Sequence, residues 1–194
     1  MANADWKILM PYVLPEVDKC PKVQIVNEIR RAAIVFCQRT QVWREELDPL
    51  FFPAGIVSAE LEPPRGARVC EIITVTNLNG GVALIPEVQF SSTSDTIDLI
   101  GIPTFDTQLS VLAALKPTLL STGIPEGLME DWGQYLAYGA VASLKAMRGR
   151  EWEDLPGAQI KNELFEDGIT SAKIRVITGG AKRSLTVKPR SFGQ

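Results

Sequence analysis

The sequence predicts an α+β fold: a bundle of long helices, a small antiparallel β sheet or sandwich inserted into it, and an extended C-terminal arm. Three observations predict it. Apolar residues recur at helical spacing between residues 14 and 49, and again from about residue 124 to residue 177. Residues 50–118 instead break into short runs rich in β-branched side chains, with turn signals between them. The order helix, strands, helix, helix segregates the two kinds of element, where a parallel sheet would alternate them. One domain is expected overall: residues 1–49 as leader and first long helix, 50–118 as the β insertion, 119–180 as the two helices completing the bundle, and 181–194 as the arm.

In the first helix, Pro21 suits the opening turn, where its missing N–H would have had no partner, and the Asp18 carboxylate can accept from the free N–H groups. Val26, Ile29, Ala33, Phe36, Cys37, Thr40 and Trp43 form one stripe, while Glu28, Arg30, Arg31, Gln38 and Arg39 fall on other faces. Pro49 ends it. About 22 residues at 1.5 Å each make a rod of roughly 33 Å. Glu45, Glu46 and Asp48 then read as a solvated helix end, a placement the helix dipole disfavours and a partner's positive charge would offset.

Five strands are expected, over residues 56–62, 69–76, 82–90, 96–101 and 108–118. Pro63-Pro64-Arg65-Gly66 separates the first two. Asn79-Gly80-Gly81 is a hairpin turn, because Asn and Gly accept the positive φ it needs. Pro86 marks the third run as an edge strand or a bulge.

The second helix opens at Ile124-Pro125-Glu126 and runs to about Met147, with Leu128, Trp132, Tyr135, Leu136, Gly139, Ser143 and Met147 as its stripe. Its small residues let a neighbouring backbone approach closely. A corner at Trp152 leads to a third helix over residues 156–177, with Ile160, Leu164, Gly168 and Ala172 along one side; Gly179-Gly180 ends it. In the arm, Pro189 disfavours helix, and Leu185 and Val187 alternate with polar neighbours.

Composition narrows the chemistry. Hydrophobic content of 45% with 22% charged residues marks a soluble globular chain. No apolar run approaches the ~20 residues that cross a bilayer, and the first residues lack a secretory signal pattern. Three cysteines without CxxC spacing argue for reduced thiols in a cytoplasm, with Cys37 as a small buried hydrophobe. Histidine is absent, which removes Ser-His-Asp and Cys-His machinery and the usual zinc ligand sets. Carboxylates, lysines and tyrosines remain, so an enzyme is demoted without being excluded.

Charge is asymmetric. Residues 1–180 carry 16 basic and 23 acidic side chains, a balance of −7, and the arm restores +4 through Lys182, Arg183, Lys188 and Arg190. A DNA-binding domain normally carries a basic face on its folded body; this body is acidic. The run Gly179-Gly180-Ala181-Lys182-Arg183-Ser184 lacks the preceding strand and following helix of a phosphate loop. Asp95 and Asp98 sit in a polar hairpin turn that falls short of the six or more oxygens calcium requires. No catalytic, metal or cofactor residue is assigned.

Particular words inside these patterns say more. Residues 14–17 read LPEV, and residues 29–43 hold Ile29, Arg30, Ala32, Ala33, Ile34, Phe36, Cys37, Thr40 and Trp43. Further on come Leu115, Pro117 and Thr118; Pro125 and Leu128; Gly139 and Ala140; Trp152; Phe165, Gly168, Ile169, Ala172 and Lys173; and Phe192 with Gly193. This chain resembles the head-to-tail adaptor (connector) proteins of tailed bacteriophages. The likeness covers nearly the whole length and thins over residues 50–110. It departs in the second helix, where Trp132, Tyr135 and Tyr138 compete for the family's aromatic position.

The resemblance implies a non-enzymatic virion protein of the neck, made in the host cytoplasm and assembled as a ring of copies, twelve to match a portal. Its partners would be the portal protein, a downstream neck or tail protein and itself; DNA would pass through the channel without specific binding, and no membrane is involved. Lys182, Arg183, Leu185, Val187, Lys188, Arg190 and Phe192 would meet the portal. Trp6, Ile29, Ala33, Phe36, Trp43, Trp132 and Gly139 would pack helices between subunits, with Trp6 as an exposed anchor and apolar surface left open on a lone subunit. The alternatives are another neck or tail-tube protein, a soluble β-domain that binds a ligand, and a histidine-free enzyme using carboxylates.

Overall fold

The computed structural model describes residues 3–179. Its elements are β1 (Asn3–Asp5), a short α1 (Met10–Val13) flanked by 3-10 turns, α2 (Lys22–Thr40), β2 (Arg44–Phe52), β3 (Ser58–Glu60), β4 (Ala67–Asn77), β5 (Val82–Ala83), β6 (Phe90–Ser92), β7 (Thr96–Leu99), β8 (Thr107–Pro117), β9 (Gly123–Pro125), α3 (Glu126–Lys145) and α4 (Leu155–Thr178). The class is α+β, but the architecture is not a long-helix bundle with a β insertion. Four helices pack with three antiparallel sheets, ordered β2-β8-β4-β5, β3-β7-β6 and β1-β9, and the strands supply much of the core.

The centre is β8. Leu109, Val111, Ala113 and Leu115 alternate onto one face and are all fully buried. The register continues that row into both neighbours, with Leu47 opposite Val111 and Leu50 opposite Leu109 on β2, and Val75 opposite Val111 and Val69 opposite Leu115 on β4. Buried Leu61, Phe90 and Ile97 carry the same core under the three-stranded sheet. α2 lies against β8 and lays Ile25, Ile29, Ala33, Phe36 and Cys37 into the core.

α2 is shorter than its sequence predicts. It ends at Thr40, where Gln41 turns left-handed (φ 53) and its N–H donates to the Cys37 carbonyl at 2.9 Å. Trp43 lies outside it, and residues 44–52 form an edge strand. Glu45, Glu46 and Asp48 therefore stand on β2, not at a helix end. Pro49 sits at a register shift between Leu47 and Leu50, where a residue without an N–H breaks no ladder bond. The run over 82–90 also divides, into β5 and β6 around a turn at Pro86. The Asn79-Gly80-Gly81 hairpin forms as the sequence indicates, with Gly81 at φ 65 between paired β4 and β5.

α3 starts after Pro125, and α4 starts at an Asp154 cap whose carboxylate accepts from the Gly157 N–H at 3.0 Å. The two helices approach closely because glycine faces each partner. A Cβ on Gly139 would lie 2.8 Å from the Phe165 ring, and one on Gly168 would fall inside contact with the Tyr135 ring. Phe36 joins them to α2, its ring centroid 5.6 Å from that of Trp132 and 6.0 Å from that of Phe165.

The leader is tied down at both ends. β1 pairs with β9, and Trp6 is only 1% exposed, its indole Nε1 donating to the Ser121 carbonyl at 2.9 Å. Glu16 accepts from Lys145 Nζ at 2.9 Å and Lys161 Nζ at 2.6 Å, clamping the leader to α3 and α4.

Candidate interaction surfaces

The residues expected to pack helices between subunits belong to the chain's own core. Trp6, Ile29, Ala33, Phe36, Trp43, Trp132 and Gly139 are all buried against other elements of the same chain. Trp6 is the clearest correction, because a carbonyl 115 residues away covers its polar edge. The expected portal-binding residues, Lys182, Arg183, Leu185, Val187, Lys188, Arg190 and Phe192, lie outside the described residues. Asp95 forms no cation site with Asp98; Ser94 and Arg68 donate to it at 3.0 and 2.8 Å, and these bonds hold its carboxyl below the ordinary value. Among the described residues no cluster of three or more potential metal ligands forms.

Apolar surface is exposed elsewhere, and half of the exposed large apolar side chains gather at one end of the β region. Three segments meet there: residues 53–57, residues 78–89 and residues 100–106. Backbone bonds hold them together, from Gly55 N–H to the Pro103 carbonyl at 2.9 Å, from Leu99 N–H to the Val57 carbonyl at 2.7 Å, and from Ile100 N–H to the Gln89 carbonyl at 2.9 Å. The Asp106 carboxylate accepts from the Ala54 N–H at 3.0 Å, and its carbonyl accepts from the Asn79 side chain at 3.0 Å. On this scaffold Ile56, Val82, Ile85, Val88, Ile100, Ile102 and Phe105 point into solvent, Ile102 at 72% and Phe105 at 65% exposure. Phe51, Val57 and Leu78 extend the patch. Within the three segments only Glu87 and Asp106 ionise, and Glu87 is held in the left-handed region (φ 61) beside Pro86.

Sequence reasoning missed this surface, though its signal was present. Ile85-Pro86 and Ile102-Pro103 place large apolar residues inside turns, where a chain folding only for itself tends to place polar ones.

A second set of surfaces lies on the helices. An open groove of about 690 Å³ runs between α2 and α4 over α3, lined by Glu28, Val35, Ala142, Leu155, Ala158 and Asn162 among others. Glu28 is buried in its wall, and Arg31, whose side chain is 69% exposed, reaches it at 3.3 Å. A neighbouring hollow of about 510 Å³ continues along α2 past Val23, Asn27 and Arg30 to Leu119. Beside it Leu120 is 91% exposed.

No helix among the described residues is long and apolar enough to cross a membrane. No protein-family model matches the chain, and no curated protein does.

Proposed function

We propose that this protein is a head-to-tail adaptor of a tailed bacteriophage, a structural subunit that rings the exit of the portal and joins it to the next neck or tail component. The exposed apolar β end carries the reading. A subunit that worked alone would leave Ile85, Val88, Ile102 and Phe105 in water at one end of the molecule, and contiguous apolar surface of this kind marks contact with another molecule. The motif resemblance supports the same reading. Ile29, Ala33 and Phe36 on α2, Gly139 and Ala140 on α3, and Phe165, Gly168 and Ala172 on α4 are contacts that hold these helices together, so the likeness runs through the packed centre.

The mechanism follows the observed fold and not a helix bundle. The inward faces of the helices are used within the chain, so copies would meet through outer faces. The β end lies at the Thr107 end of β8, about 30 Å along the strand from Pro117, and would seat on the adjoining neck component. Residues 181–194 would reach the portal, where charge pairs set encounter rate and register more than affinity. An acidic body would let DNA slide through, because Lys and Arg contacts to phosphate dominate its retention. No step in this role requires catalysis or a cofactor.

Sedimentation velocity and native mass spectrometry of the full chain, alone and mixed with portal rings, test the reading; a discrete multimer is expected in at least one setting. Ile102→Asp combined with Phe105→Asp should shift stability by no more than about 0.5 kcal/mol, since both side chains are exposed, yet abolish attachment to the adjoining component. A chain that stays monomeric in both settings would sink the reading and favour a soluble β-domain that uses the same apolar end for a ligand.

A further inference from the structure

The outer faces of α2 and α4 are complementary in pattern and charge. On α2, Val23, Asn27, Arg31, Ile34 and Gln38 recur at spacings of four, four, three and four, which keeps them on one side of a helix. Val23 is 74% exposed and lies beside the hollow that also includes Leu119. Arg31 is exposed on this side, and the nearest acid, Glu28, is already buried against it. The face is thus apolar at its start, basic in its middle and apolar again at Ile34 and Val35.

On α4, Ile160, Glu163, Asp167, Thr170, Ile174 and Ile177 recur at alternating spacings of three and four. That repeat is the seam of a helix meeting another helix side by side. Within the chain, however, α4 packs through Ala158, Phe165, Gly168, Ile169 and Ala172, and the 160–177 seam faces solvent. Exposure at Ile160 is 59% and at Ile177 84%. Glu163 and Asp167 are both exposed in its middle, so this face is apolar, acidic, apolar.

We infer that the outer face of α2 on one copy docks on the outer face of α4 on a second copy, with Arg31 meeting Glu163 and Asp167 and the isoleucines of α4 entering the hollows along α2. This rests on the ring reading above and names its subunit contact. Because the two faces are different surfaces of one chain, the contact is head-to-tail, and such contacts close into rings when the rotation allows. The open groove and hollow beside α2 supply the holes such knobs need.

Charge exchange tests it on the full chain. Arg31→Glu makes both faces negative, and Glu163→Lys with Asp167→Lys makes both positive, so each variant repels itself. Like-charge juxtaposition should raise the concentration needed for assembly by about thirtyfold or more in each. Mixed in equal amounts, the two variants should assemble again, since each negative face then meets a positive one, and native mass spectrometry should find the variants in equal numbers. Circular dichroism should match the wild type in both. The urea midpoint should match it for Glu163→Lys with Asp167→Lys, whose residues are exposed, and fall for Arg31→Glu, which loses its ion pair with buried Glu28, so rescue on mixing separates a lost contact from a lost fold. A wild type that forms rings while both variants assemble normally overturns this contact and leaves the adaptor reading standing. Variants that fail alone and are not rescued by mixing also overturn it. A wild type that stays monomeric alone and with portal rings overturns the adaptor reading and this contact together.

Discussion

Replacing Glu16 by glutamine removes the charge that clamps the leader to α3 and α4. Its carboxylate accepts from Lys145 at 2.9 Å and from Lys161 at 2.6 Å, with 31% of the side chain exposed. A hydrogen bond to a charged group contributes about 1.5–3 kcal/mol, and solvent screening at a partly exposed pair lowers that towards ~1 kcal/mol. Glutamine keeps one acceptor oxygen, Lys145 keeps Asp154 at 3.2 Å, and Lys161 Nζ stays 5.1 Å from the centre of the Tyr138 ring. The loss expected for E16Q is therefore about 1–2 kcal/mol, which in a chain of this length lowers Tm by about 2–8 °C. The pH dependence supplies a signature that simple mispacking lacks. Hydrogen bonds from Lys161 first and Lys145 second hold the Glu16 carboxyl below its ordinary 4.5, and Glu16 in turn holds the Lys145 ammonium above its ordinary 10.5. The carboxylate's contribution is complete above 4.5 and fades as pH falls through its lower folded value; the lysine's is complete below 10.5 and fades as pH rises through its higher one. Urea midpoints of wild type and variant should thus differ by a constant amount between about pH 5 and pH 10 and converge in acid. Equal stability at neutral pH, or a deficit that survives undiminished in strong acid, would refute the clamp.

Three further outcomes follow from the same packing. Phe36→Ala should cost about 3–5 kcal/mol in urea unfolding, because its ring is buried between Trp132 and Phe165; a loss below about 1 kcal/mol would mean α2 does not hold the helices together. Gly168→Ala should cost about 1–3 kcal/mol by pushing α4 off the Tyr135 ring, and an unchanged midpoint would show that α3 and α4 slide apart freely. Burial pushes the Cys37 thiol up to about 12, so it should resist thiol reagents at neutral pH until the chain unfolds; rapid native labelling, located by peptide mass spectrometry, would contradict its place in the core.

How far the sequence could be read depended on how local each determinant is. The ends of α3 and α4 were legible because Pro125, Pro156 and Gly179 act within a turn of their own positions. α2 was read too long because Trp43 continues its helical stripe, and because a strand of nine residues containing Glu45, Glu46 and Asp48 shows its apolar row only once β8 lies beside it. Trp6 gave no local sign of burial, since its cover comes from the loop before β9. The small sheet of β3, β6 and β7 rests on strands of three or four residues, too short for alternation to stand out. The apolar β end shows locally only as isoleucines beside prolines in turns, because three segments far apart in sequence make it one surface.

The position of β8 at the centre of its sheet sets a timetable for biogenesis. β2 and β4 do not pair with each other; both pair with β8, which follows β2 by more than fifty residues. At the ribosome's pace of about 5–20 residues per second, an emerging chain waits roughly 3–13 seconds with β2 complete and its apolar row unpaired. β1 waits longer still for β9. During that interval the nascent chain offers bare strand edges to any neighbour in the same state, and pairing between two unfinished chains competes with completion of one. Synthesis of such a chain in bulk on crowded polysomes therefore exposes it to its own copies well before there is a folded surface through which they could properly meet.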